Sequence, residues 1–218
     1  MPFIVSARHP EPHLYSMRSI RAISAFFRRV SRVGEIVSER ILTGALAGVL
    51  VLVAVHLSLL TTSALLPSHE RAAVESAIEV LDERGFKAEA FILRNTATFR
   101  KTDHWLNLLV EKENAFAATN FPFQIVTIYP DFYGRTTDDT ERAMILLHEA
   151  RHLMGMNEAD AHQYVWQHRG QLGWTQMTHG TTETYITVAQ QTREQVPDLF
   201  TCTDRNWNDC TETIRASK

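Results

Sequence analysis

The chain has 218 residues, 44% of them hydrophobic and 22% charged, with a net charge of -3. That length excludes several large domains, and the apolar content excludes a broadly disordered chain. The near-balanced charge leaves no global basic field, so no nucleic-acid partner is expected.

The charge is unevenly spread. Residues 1–40 form a basic N-terminal segment carrying Arg8, Arg18, Arg21, Arg28, Arg29, Arg32 and Arg40 against Glu11, Glu35 and Glu39, whereas acidic residues prevail after 68. Residues 1–17, with Pro2, Pro10 and Pro12, read as disordered. Residues 18–33 place Ile20, Ile23, Phe27 and Val30 near helical spacing with arginines between them. They read either as a basic amphipathic helix on the inner membrane face or as a simple positive flank.

Residues 41–60 (ILTGALAGVLVLVAVHLSLL) carry no formal charge, and apolar residues continue to 66. A helix rising about 1.5 Å per residue crosses a bilayer core of about 30 Å in roughly twenty such residues. Residues 41–66 are therefore read as a single transmembrane helix. Arginine-rich flanks stay inside, so the N-terminus is expected in the cytoplasm and residues 68–218 outside it. Thr62-Ser63-Ala64 offers a competing signal-peptidase reading, but the apolar run is longer than a signal core and a forty-residue leader precedes it.

The remaining chain is expected to form one small α+β domain over 68–218. Residues 69–84 predict a helix capped by Ser68 and stopped by Gly85. Residues 88–93 (AEAFIL) have strand character, 103–112 predict a second helix, and 121–130 (FPFQIVTIYP) predict the clearest strand. Cys202 and Cys210, both on the expected outer side, fit one disulfide closing a small loop.

The segment 137–154 (TDDTERAMILLHEARHLM) predicts a helix opened by Asp138 and Glu141 and ended at Gly155. Within it, His148-Glu149-Ala150-Arg151-His152 makes an HExxH sequence. Residues four apart lie one turn above each other, so His148 and His152 can reach one metal ion. Glu149 neighbours that face and can activate the metal's water without ligating it. Composition alone yields roughly 0.03 such matches in a chain of this length, which argues against accident. Zn2+ suits two imidazoles and a carboxylate best, with iron and manganese as alternatives on spacing alone.

Glu158 follows His152 by six residues with Gly155 between them, so the run reads HExxHxxGxxE. Gly155 can adopt the positive φ that turns the chain back and brings residue 158 to the metal. Glu158 is thus the leading third ligand, with Asp160 and His162 as alternatives. Met177, Trp166 and Trp174 read as core residues, and Tyr185 and His179 as possible donors to a developing oxyanion.

These residues resemble the zincin metallopeptidases. The glycine and the third-ligand spacing are similar to the metzincin branch, which carries His or Asp where this chain has Glu158. A glutamate third ligand on a following helix is a gluzincin feature, at a longer interval. The resemblance covers about 30 of the 218 residues. It implies a membrane-anchored zinc peptidase with a peptide or protein substrate. The alternative is a catalytically inactive metal-binding or membrane-anchored interaction module of the cell envelope.

Overall fold

The computed structural model describes residues 17–109 and 115–200, with side chains from residue 39 onward except at 108–109. The expected disorder of 1–17, apart from Met17, and the Cys202–Cys210 disulfide lie outside the described residues. The chain divides into two compact units, Met1–Val55 and His56–Lys218.

In the first unit, described residues form one helix. Helix α1 runs Met17–Thr62 without a break between the basic stretch and the apolar run, and its last seven residues belong to the second unit. The segment Glu39–Thr62 is long and apolar enough to cross a membrane, and the side chains of its most apolar stretch are exposed. Leu42, Leu46 and Leu50 show the pattern, each more than half exposed. A helix apolar on every side has no polar face to turn to water.

The second unit mixes α-helix with a small sheet, as the α+β reading expects. Helix α2 spans Ser68–Glu83 and buries Val74, Ala77, Ile78 and Leu81 at helical spacing. Pro67, one residue earlier than the expected Ser68, occupies its N-cap position, and Gly85 ends the turn at φ 89°. Residues expected as a strand at 88–93 instead form helix α3, Lys87–Asn95. Phe86, Ala90 and Leu93 fall on one helical face and are all buried, so a 3.6-residue period overrode the apolar run.

Strand β1 (Thr98–Arg100) was not anticipated. The helix expected at 103–112 is a 3-10 helix over Trp105–Leu109, and 110–114 lie outside the described residues. The long strand expected at 121–130 shortens to β3 (Ile125–Ile128). A strand not foreseen, β2 (Ala117–Asn120), precedes it across a four-residue turn. β3 is the central strand, parallel to β1 and antiparallel to β2, and all four of its residues are buried. Among the described residues β2 pairs with β3 alone and lies at the edge of the sheet.

A short helix, α4 (Asp131–Gly134), leads to α5 (Asp139–Leu153), which carries HExxH. Asp138 caps α5 by accepting from the Glu141 amide at 3.0 Å. The buried Glu141 carboxylate accepts from the Thr137 amide at 2.7 Å rather than from Asp138, a shifted version of the expected capping box. Along α5, Ala143, Leu146, Leu147, Ala150 and Leu153 form the buried stripe. Burying each leucine is worth about 1.5–3 kcal/mol, so the stripe fixes the rotation of the helix. Arg151 points away from the histidines. It meets the buried Glu89 of α3 at 3.3 Å and covers the ring of Tyr164, whose hydroxyl donates to the same carboxylate at 2.9 Å.

Helix α6 (Glu158–Leu172), the short α7 (Gln176–His179), α8 (Glu183–Gln195) and a 3-10 turn at Pro197–Phe200 complete the described fold. Trp166 and Trp174 are buried and packed edge to face, as expected of core residues. Met177 is 96% exposed and so belongs to neither the core nor the site.

Candidate metal centre

The α5–α6 turn sets the site. The Gly155 amide donates to the His152 carbonyl at 2.9 Å and the Met156 amide to the Arg151 carbonyl at 3.0 Å. That Schellman closure needs a left-handed residue, supplied by Gly155 at φ 82°. Two residues later Asn157 caps α6, accepting from the Asp160 amide at 2.9 Å. The tight reversal makes Glu158 the first residue of α6, with His162 one turn further along the same face.

Two pairs of residues with the same four-residue spacing therefore face each other, His148/His152 from α5 and Glu158/His162 from α6. His148 Nε2 lies 3.0 Å from His152 Nε2 and 3.2 Å from Glu158 Oε1. His152 Nε2 is 3.0 Å from Glu158 Oε2, and His162 Nε2 is 3.1 Å from Glu158 Oε1. The ligating atoms of His148, Glu158 and His162 all lie within 4.8 Å of one another. Asp160 is not brought in: it is exposed and contributes its amide to the Asn157 cap. His162, weighed as an alternative to Glu158, stands beside it instead.

The outer nitrogens of two imidazoles determine what the inner ones offer. The His152 Nδ1–H donates to the Met156 carbonyl at 3.0 Å, because a carbonyl can only accept. The Thr192 hydroxyl donates to the Val188 carbonyl at 2.7 Å, so it can only accept from His162 Nδ1–H, 3.1 Å away. Both rings thus direct Nε2 inward. This outer support is what metal-bound histidines require.

The protonation states leave one position short of a proton. Burial disfavours the cation of His152, but the hydrogen bond with Glu158 and the charge of Glu149 outweigh it and push the ring up to about 9. Hydrogen bonds from His148 and His152 hold Glu158 far below the usual carboxylate range. Burial prevails at His162 and lowers it, despite its contact with Glu158. A neutral His162 with its proton on Nδ1 therefore aims a bare lone pair at a carboxylate oxygen. Two acceptors 3.1 Å apart repel unless a cation lies between or beside them. Two ligands of a tetrahedral zinc stand about 3.3 Å apart, close to the 3.0–3.2 Å edges found here. The donor set of His148, Glu158 and His162 could hold a metal ion.

Glu149 has its own support. It is buried, and the Thr119 hydroxyl of edge strand β2 donates to its Oε2 at 2.7 Å. Glu149, His148, His152, Glu158 and His162 line one cleft of about 570 Å³, with β2 and Phe121 forming another wall. Tyr129 also lines the cleft, but its hydroxyl is committed to Asp103 Oδ1 at 2.7 Å, and burial together with that bond raises its pKa.

The expected oxyanion donors are elsewhere. His179 is buried against Asp138, with Nε2 3.0 Å from Oδ2, and Tyr185 packs among Trp166 and Trp174. Neither lines the cleft. Thr119 and Thr192 were missed by sequence reasoning, since single threonines 30 residues from their partners carry no local signal. The second pair was legible in principle, because Glu158 and His162 repeat the spacing of His148 and His152.

No protein-family model, no curated protein and no solved structure matches the chain. The functional reading therefore rests on the site.

Proposed function

We propose that this chain is a membrane-anchored zinc-dependent peptidase of zincin-like design, with its N-terminus in the cytoplasm and residues 68–218 beyond the membrane. The observation that carries it is the cleft in which a buried carboxylate, Glu149, stands beside His148, Glu158 and His162, with His152 in contact with the first two. A purely structural metal site has no use for a supported, unligated carboxylate facing an open cleft.

His148, His152 and Glu158 would hold the metal, with His162 as a fourth donor from the wall of α6. When bound, the metal supplies Lewis acidity, lowering the pKa of a water and polarising a substrate carbonyl. Glu149 accepts the water's proton and returns it to the leaving amine, held at the right angle by Thr119. Among the described residues β2 is an edge strand along the cleft wall, which suits an extended peptide better than a globular surface.

One observation favours a second reading. His148, Glu158 and His162 form a group that could hold a metal, and His152, in contact with Glu158, could complete a tetrahedral set and make the domain a closed metal-binding module. Glu149→Gln separates the two. The amide preserves shape and can still accept from Thr119. The peptidase reading expects about one zinc per chain by elemental mass spectrometry and a loss of peptide-library cleavage of about 10²-fold or more. Zinc retained with no cleavage by the unaltered chain leaves the closed module. Absence of zinc from both proteins refutes the metal centre.

A further inference from the structure

The cleft has two surfaces that neither the metal group nor Glu149 uses. The first is apolar. Met144 and Ile145 stand one turn before His148 on α5, and Val188 of α8 and Phe116, which precedes β2, line the cleft with them. All four are buried in the core cluster and still reach the cleft, so they form a floor beside His148.

The second surface runs up α8. Val188, Gln191 and Gln195 follow one another at three- and four-residue spacing along one face, with Glu194 beside them at its margin. Exposure rises along that face, from buried Val188 through half-buried Gln191 to exposed Glu194 and Gln195. Val188 thus belongs to the floor and Glu194 to the rim, about 9 Å further along the helix axis.

Glu194 is the cleft carboxylate that the metal group and the proton transfer leave unassigned. Glu149 is bound by Thr119, and Glu158 meets three imidazoles. Glu194 accepts from the neutral side chain of Gln190 at 3.1 Å, while its neighbour Arg193 lies over the ring of Phe200, 4.9 Å from the centroid. The described residues that line the cleft include no lysine and no arginine. A carboxylate at the rim of such a cleft draws its cation from a ligand. Lysine and arginine match both surfaces at once, because their stems lie along apolar walls while the charged head stays at the water. A purely apolar side chain would fill the floor and leave Glu194 idle, and an acidic one would be repelled.

We infer that the cleft receives a lysine or arginine side chain of the substrate and that Glu194 is the residue that selects it. The stem lies on Met144, Ile145, Val188 and Phe116, and the cation meets Glu194 at the rim. The inference deepens the peptidase reading and rests on it for the place of that residue, which is beside the cleaved bond.

The test has two readouts, both on the full chain in detergent micelles with zinc. In the first, a synthetic library of randomised peptides is cleaved and the cut sites are read by mass spectrometry. Lysine and arginine should flank the cut about two- to fivefold more often than their share of the library, the size of one partly exposed ion pair. Glu194→Gln should abolish that enrichment. Glu194→Lys should reverse it in favour of aspartate and glutamate, which a merely structural role would not produce. The position is exposed on a helix, where such substitutions leave the fold intact. In the second readout, Glu149→Gln chain is titrated into a fluorescein-labelled pool of randomised peptides with a fixed central lysine. It should bind about two- to fivefold more tightly than the same pool carrying uncharged norleucine, and Glu194→Gln added to that chain should make the two equal. Equal binding of the two pools, or cleavage with the same basic enrichment in Glu194→Gln, overturns the inference and leaves the peptidase standing. Lysine-selective binding through Glu194 without any cleavage by the unaltered chain supports the selection and refutes the peptidase reading alone.

Discussion

Metal binding at this centre should compete with a proton on His152, which makes pH the most informative perturbation. In the metal-free chain that ring titrates at about 9, so at pH 7 about one molecule in a hundred has it neutral. Binding requires the neutral form. Glu158 is ionised throughout this range and His162 is held neutral, so neither adds a slope. Apparent zinc affinity should therefore rise about tenfold per pH unit from 7 to 9, about 100-fold or 3 kcal/mol in all, and then level off. Competition against a chelator of known proton-corrected affinity measures it. The metal-free chain moves the opposite way. The raised pKa contributes stability fully present below the unfolded value of 6.5 and lost as pH rises through about 9, at most about 3 kcal/mol. Alkali should thus lower the melting temperature of the metal-free chain while tightening metal binding. A flat affinity between pH 7 and 9 would refute the placement of His152 at the metal. A metal-free melting temperature rising across that window would refute its pairing with Glu158.

Two further perturbations test the supports. Thr192→Val removes the acceptor that fixes His162 while nearly preserving shape, so zinc affinity should fall about 10–100-fold in the same chelator assay. Unchanged affinity would remove His162 from the donor set. Asp138→Ala deletes the α5 cap and the bond to His179, and urea unfolding at pH 7 should show a loss of about 0.5–2 kcal/mol. Burial acts against ionised Asp138, but the Glu141 amide and His179 outweigh it and lower its pKa below 3.8. The contribution is therefore present above that value and lost as pH falls through the native one. The gap between the two proteins should close in acid, and a gap that widens there contradicts the argument.

The legible part of the fold was the part governed by local rules. The apolar run, the α2 stripe and the Asp138 cap each depend on residues within one or two turns, so spacing reveals them. Residues 88–93 failed because AEAFIL is short and apolar enough to read either way. Burial of Ala90 and Leu93 beneath Phe86 decided for a helix. Strands β1 and β2 failed for a different reason. Three or four residues of mixed polarity, TFR and AATN, have no periodicity of their own, and only pairing on either side of Ile125–Ile128 makes them strands.

The site divides along the same line, with one consequence for its chemistry. HExxH and Gly155 are local, so the histidine-bearing face of α5 and the reversal after it could be read directly. What spacing could not decide was how many donors α6 contributes, because that depends on how closely the two helices approach. The cap at Asn157 starts α6 at Glu158, which puts His162 on the same face and Asp160 off it. A reading that seeks one third ligand treats Glu158 and His162 as rivals, whereas a helix starting at 158 presents both or neither. The resulting three imidazoles and one carboxylate exceed what a three-ligand hydrolytic centre requires. Under the proposed peptidase reading, turnover would require that one of the four yield its place or that the metal accept a fifth partner. Glu158, the half-exposed member at the cleft, is the donor with room to move, whereas His162 is buried and fixed through Thr192. The catalytic and the closed readings thus differ in the mobility of a single carboxylate at the start of α6.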